Sequence, residues 1–345
     1  MGTLTTKIVY NLLLGGLSIL VLAASWIFVD KNASLFEISQ IAFGAAFIGN
    51  HPHFTSSYML MYGDFRKNIL KSARYIWAAI VVPAILLIYL LYCLAAERRD
   101  LLGHAVNAMF FLVGWHYVKQ IFGVVAVTAA QRNYFYSGFD RVIVLTNLFS
   151  IWAVSFLNSQ TYAGWFDFYG LKYQSFELSV NWMKLSYLVF FVSLAVVVYR
   201  HVEKYLKTGK TPGTAAAVAL LTLYAWYLPV FAHPFFAYLI PFFHSLQYLV
   251  FVWYFKRQQQ TDRHPSAWYK YLFLYAFGAI VSGALVFEII PKALDSAYKF
   301  QNADLGEKPF LVVFLLFINI HHYFIDNTIW KSSNLEVKKY LTLSA

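Results

Sequence analysis

Cysteine is almost missing from this 345-residue chain: Cys93 stands alone, so no disulfide can close within it and no cluster of thiolates is available to a metal. Charge is scarce as well. Only 12% of residues are Asp, Glu, Lys or Arg, against about 25% in a soluble domain. Hydrophobic residues make up 60% of the chain and the mean hydropathy is +0.56. That balance excludes an ordinary soluble enzyme and indicates a polytopic membrane protein. Heptad arrays, low-complexity tracts and a soluble domain are also missing. The first apolar run, residues 8–29, has no small-residue cleavage site and reads as a first helix, not a removed signal peptide.

What is present is a series of apolar segments, each near the roughly 20 residues that cross a bilayer. Ten are expected, at 8–29, 34–62, 71–96, 102–130, 139–158, 180–200, 213–232, 234–256, 268–292 and 308–330. They form one domain over 1–345: an all-α transmembrane bundle of about ten spans. Pro234 suits the first turn of the eighth helix. Basic residues outnumber acidic ones by 27 to 16. Placing both termini on one side with the loops after the second, fourth, sixth and eighth segments gives that side 18 of the 27, and the other side 8, with Lys119 inside a segment. This asymmetry places both termini in the cytoplasm, in an inner or plasma membrane. The net charge of +11 is thus a topology signal with affinity for anionic headgroups; no nucleic-acid partner is expected. The aromatic-rich stretch 160–181 reads as an interfacial belt or, alternatively, as a lid over a portal for lipids.

Six of the ten histidines fall inside these segments: His51 and His53 in IGNHPHF, His116 in VGWHYVKQ, His244 in PFFHSLQY, and the adjacent His321 and His322 in NIHHYFID. Ionisable groups are costly in hydrocarbon and mark functional interiors, and imidazole is the commonest metal ligand. His116, His244 and His321 lie about fourteen, ten and thirteen residues into segments that all run in the same direction, which puts them in one slab at a rise of 1.5 Å per residue. A shared metal site is the sharper reading of this layer, and interhelical hydrogen bonding the plainer one. His322 and Asp326 are spaced i, i+4 and share a face, either as two ligands or as a ligand oriented by a carboxylate. His116 and Gln120 share a face likewise, and Lys119 is placed to pair with Asp326 or to bind an acidic headgroup. Pro52 is expected to kink its helix between His51 and His53. One member of each close pair should be a ligand and the other a hydrogen-bond partner. Asn50, Asn147 and Asn319 are candidate interhelical hydrogen-bonders, and Glu37 and Glu288 belong near a membrane surface.

Histidine with a carboxylate and no thiolate suits iron, copper or zinc. The HxxxH and HxxHH boxes of membrane desaturases do not occur. The segment HPFFAYLIPFFHSLQY at 233–248, with GNHPHF and GWHYVKQ before it, resembles the histidine motifs of the Brp/Blh family of membrane beta-carotene cleaving dioxygenases. The resemblance implies an all-helical membrane enzyme with one iron on four histidines, His51 or His53, His116 and His244 among them. That family has a further histidine where this chain has Tyr248, and the pair His321–His322 could supply the replacement. The leading expectation is therefore a non-haem iron oxidoreductase or oxygenase acting on a lipid or isoprenoid. The alternatives are a haem electron-transfer protein with His116 and His244 as axial ligands, or a transporter lined by the same polar residues.

Overall fold

In a computed structural model the described residues are 9–28, 44, 47–231, 235–331 and 333–341. Helix dominates them, because a backbone in hydrocarbon must satisfy its own polar groups. The first helix, α1 (Leu17–Phe28), follows a π turn at Leu12–Gly16. α2 (Asn50–Met59) runs into a second π turn, Leu60–Asp64. α3 (Ala73–Ala95) contains a third, Trp77–Val81. Then come α4 (Arg99–Ala130), α5 (Gly138–Thr161), α6 (Val180–Thr208), α7 (Thr214–Tyr227) and α8 (Phe235–Arg263). α9 (Trp268–Ala297) carries a π turn at Leu285–Ile289. α10 (Pro309–Ile329) and the short α11 (Leu335–Leu341) end the chain.

Each expected segment overlaps a helix, but ten spans is too many for what is described. Among the described residues six helices are long and apolar enough to cross a membrane: α3, α4, α5, α6, α9 and α10. The reasons differ by helix. The apolar run Val9–Ala24 and α7 fall short of the 17 to 25 residues a span needs. α2 is a ten-residue helix rich in His, Ser and Thr, and most of the expected segment before it lies outside the described residues. α8 has 29 residues, and the side chains of its first four lie outside the described residues. Glu37, His233 and Pro234 also lie outside the described residues.

Local signals fix the joints. Ser137 and Asp140 form a reciprocal capping box at the start of α5, and the Asp140 carboxylate also accepts from Arg200 Nε at 2.9 Å, tying α5 to α6. Asn147 of α5 donates to the Phe190 carbonyl and to Ser193 of α6, at 3.0 Å each, and accepts from Tyr224 of α7. The stretch 160–181 contains a hairpin of β1 (Trp165–Phe168) and β2 (Leu171–Gln174), with Phe168 opposite Leu171. Its two turn residues, Tyr169 and Gly170, are both at positive φ (53° and 96°), as a type I′ turn requires. Leu171 is buried beside Leu102 and Leu305, so the hairpin caps the start of α4.

Three apolar clusters surround the centre of the bundle. One joins α4, α5, α6, α7 and α8; one joins α2, α3, α8, α10 and α11; one joins α3, α4, β2 and α10. Cys93 packs in the third. Helices α2, α4, α8 and α10 meet between these clusters, and each brings one of the predicted histidines. Gly283 of α9 allows a close approach of α2: a Cβ there would lie 2.8 Å from the Cβ of His51. With His51 held against α9, His53, two residues further round the helix, points into the bundle.

Candidate metal centre

His53, His116, His244 and His322 converge, each fully buried, with one ligand-capable nitrogen from each lying within 4.8 Å of the others. Neighbouring ring centres are 4.9 Å apart for His53–His244 and His116–His244, and 4.6 Å for His53–His322 and His116–His322. Three of these pairs meet edge to face, with planes at 77° to 86°, and His53–His244 is tilted at 50°. An imidazole bound at about 2.1 Å puts its ring centre roughly 3.2 Å from the ion; neighbours then stand roughly 4.5 Å apart in a square and roughly 5.2 Å apart in a tetrahedron. The observed separations fall between these limits.

Asp326 completes the group. Its Oδ1 accepts hydrogen bonds from Ser57 Oγ at 2.8 Å and Tyr248 OH at 3.0 Å. Its Oδ2 faces His322 Nδ1 at 3.5 Å, His116 Nε2 at 3.7 Å and His53 Nε2 at 3.9 Å, too far for hydrogen bonds. One carboxylate oxygen is thus anchored and the other is turned toward the histidines. The latter, with His53 Nε2, His116 Nε2 and both nitrogens of His244, is buried without a hydrogen-bond partner. Buried polar atoms are nearly always paired, and a buried carboxylate without a compensating charge is costly. A bound cation resolves both conditions at once, so the residues fit a metal.

The hydrogen bonds around His53 select its tautomer. Ser245 Oγ donates to Asn50 Oδ1 at 2.8 Å, so its lone pair accepts from His53 Nδ1, also at 2.8 Å. That leaves Nε2 as a bare lone pair aimed at the cluster, the form a metal requires. Aromatic rings back each histidine: Tyr248 on His53 at 4.1 Å, Tyr117 on His244 at 4.2 Å, Phe54 on His322 at 4.9 Å and Tyr323 on His116 at 5.6 Å. A small cavity touches His116, His244 and His322, with about 10 Å³ of free volume, near the minimum for one water.

The remaining predicted residues lie elsewhere. His51 stacks on Phe287 of α9 at 4.5 Å. His321 spends both nitrogens on structure, on Tyr58 OH and on the Ala78 carbonyl, each at 2.8 Å. Of each close pair, therefore, one histidine joins the cluster and one does not. Pro52 lies in the first turn of α2, where its missing N–H is not needed, and a turn at Gly49 separates α2 from the helical residues 47 and 48. Lys119 does not pair with Asp326. Its long side chain carries the ammonium outward over the Phe149 ring, 5.6 Å from its centre. Gln120 donates to the His244 carbonyl at 3.0 Å and to Gln247 at 2.9 Å, bracing α8 against α4. Asn319 bonds within its own helix, to the Leu315 carbonyl at 2.8 Å. Glu288 is buried and pairs with Lys292 at 2.6 Å. Ser57 and Ser245 were not singled out from the sequence. Ser57 had a signal, since it lies four residues after His53 on the same face; Ser245 had none beyond following His244. No protein family, curated protein or solved structure matches this chain.

Proposed function

We propose that this chain is an integral-membrane, metal-dependent oxidoreductase, a non-haem iron oxygenase acting on a lipid or isoprenoid. The observation that carries the proposal is the convergence of four buried histidines from four helices, three of them with a ring nitrogen that has no hydrogen-bond partner, beside the equally unpaired Asp326 Oδ2. His53, His116, His244 and His322 would hold the ion, with Asp326 Oδ2 as a fifth donor or as its charge partner. Nitrogen with one carboxylate and no sulfur suits iron with open positions for oxygen chemistry. When bound, the ion would supply Lewis acidity and electron transfer to O₂. The protein's own share is orientation: Ser245 fixes the His53 tautomer, while Ser57 and Tyr248 fix the carboxylate. The resemblance to the Brp/Blh family supports the same donor set, with His322 in the place left by Tyr248. Both termini are proposed to lie in the cytoplasm, on the strength of the basic asymmetry.

A haem is a poorer fit. It would have to lie between His116 and His244, whose ring centres are only 4.9 Å apart, with His53 and His322 against both.

The test is metal content per chain in purified protein, together with its optical spectrum. One iron per chain and no Soret band is the expected result. A stoichiometric metal other than iron would overturn the oxygenase assignment, and no stoichiometric metal at all would overturn the centre.

A further inference from the structure

A second cavity, about 460 Å³ among the described residues, lies beside the metal centre between α2, α9 and α10. That size is within the range of small-molecule sites. Met59 and Tyr62 wall it on one side, Val286 and Phe287 of α9 on another, and Phe314 and Phe317 of α10 on the third. Two of its walls include π turns, Leu60–Asp64 and Leu285–Ile289, a distortion often found at functional sites.

Four hydroxyls line this groove, and each donates its proton to another group of the protein. Thr55 Oγ1 donates to the Ala279 carbonyl at 2.7 Å, and Ser282 Oγ to the Gly278 carbonyl at 2.6 Å. Tyr62 OH donates to the Ala79 carbonyl at 2.8 Å. Tyr58 OH donates to His321 Nδ1, because His321 Nε2 must carry its proton to reach the Ala78 carbonyl. The groove therefore presents hydrocarbon and aromatic faces only. Two of its three helices, α9 and α10, are long and apolar enough to cross a membrane.

Phe54 is the one described residue that lines both this groove and the small cavity at His116, His244 and His322. Its ring stands edge-on to His322, with planes at 80°, and contacts Phe287 at 5.4 Å. One side chain thus separates an apolar groove from the metal-binding histidines.

We infer that the groove binds a single fatty-acyl chain drawn from the surrounding bilayer, and that Phe54 is the partition between that chain and the metal centre. The assignment of the chain as substrate rests on the oxidoreductase reading; the binding site does not. An acyl chain is the occupant because the groove offers no polar recognition and opens among membrane-spanning helices, where acyl chains are the prevailing hydrocarbon.

The test uses the full-length protein in nanodiscs and stearate bearing a diazirine near its terminal methyl group, with labelled peptides mapped by mass spectrometry. Labels are expected on Met59, Val286, Phe314 or Phe317, and excess unlabelled stearate should compete them away. Val286→Trp or Phe314→Trp, filling the groove from opposite walls, should abolish that labelling; whichever variant elutes as the native species decides the point. Phe54→Ala should extend the labels to Val113 and Tyr323 beside the histidines. Labelling spread over the lipid-facing sides of α5 and α6 and indifferent to the Trp variants would overturn the site. Stronger competition by geranylgeraniol than by stearate would overturn the acyl assignment. Metal content is read on the same samples: groove labels in metal-free protein uphold the acyl site and remove the centre, whereas metal with no groove labels removes the acyl site alone.

Discussion

His244 and His321 are both buried histidines in apolar helices, yet their side chains have opposite circumstances. Both nitrogens of His244 lack a partner; both nitrogens of His321 have one. His244→Ala is therefore expected to eliminate bound metal. His321→Ala should keep it and destabilise the fold, since leaving a buried carbonyl and hydroxyl unpaired costs about 1–3 kcal/mol each. Metal analysis and thermal unfolding of the two purified variants check this; full metal in His244→Ala would remove that histidine from the site. Ser245→Ala probes the tautomer argument. Losing the acceptor for His53 Nδ1 should lower metal affinity by about 10- to 100-fold with all four histidines intact. A competition titration with a chelator of known strength measures it, and an unchanged affinity would show that Ser245 does not set the tautomer. At this scale much was legible beforehand. Four of the six predicted histidines converge, since polar side chains on apolar helices have few other uses. The choice within each pair was not legible, because it depends on which neighbouring helix each member meets.

Elements position these residues through packing more than through their own preferences. α2 is short and polar, and it holds its place because α9 offers Gly283 where His51 presses in. Gly283→Val should push α2 away from α9 and carry His53 off the cluster. The expected result is weaker metal binding from a substitution at a residue that touches no ligand nitrogen of the four. Retention of wild-type affinity, with the expected loss of thermal stability, would show that α2 is positioned by other contacts. The sequence could not reveal this dependence. Periodicity shows that a segment is helical, but not which glycine another helix will rest on. The same limit explains Lys119, placed near Asp326 by spacing along the chain and carried to the exposed face by the real rotation of α4.

The all-α membrane class was legible in the sequence, whereas six of the ten expected spans stand out among the described residues. Apolar composition alone identified the class, whereas the number of crossings depends on helix lengths, and the polar α2 has only ten residues. Reporter fusions at each terminus are expected to report the cytoplasmic side for both, in line with the distribution of Lys and Arg. Opposite sides for the two ends would require an odd number of crossings and a different placement of the loops.

The four histidines are contributed by α2, α4, α8 and α10, so they are far apart along the chain, from residue 53 to residue 322. During synthesis the first three emerge long before the last. Until α10 is inserted the pocket is incomplete, and its orphaned nitrogens have no common partner. A metal held by all four would add stability only to a chain that includes α10, by an amount that grows with free metal and reaches about 4 kcal/mol at a thousand times the dissociation constant. Occupancy of the centre would then act as a mark that α10 has been inserted, separating molecules that contain it from those that stopped before it.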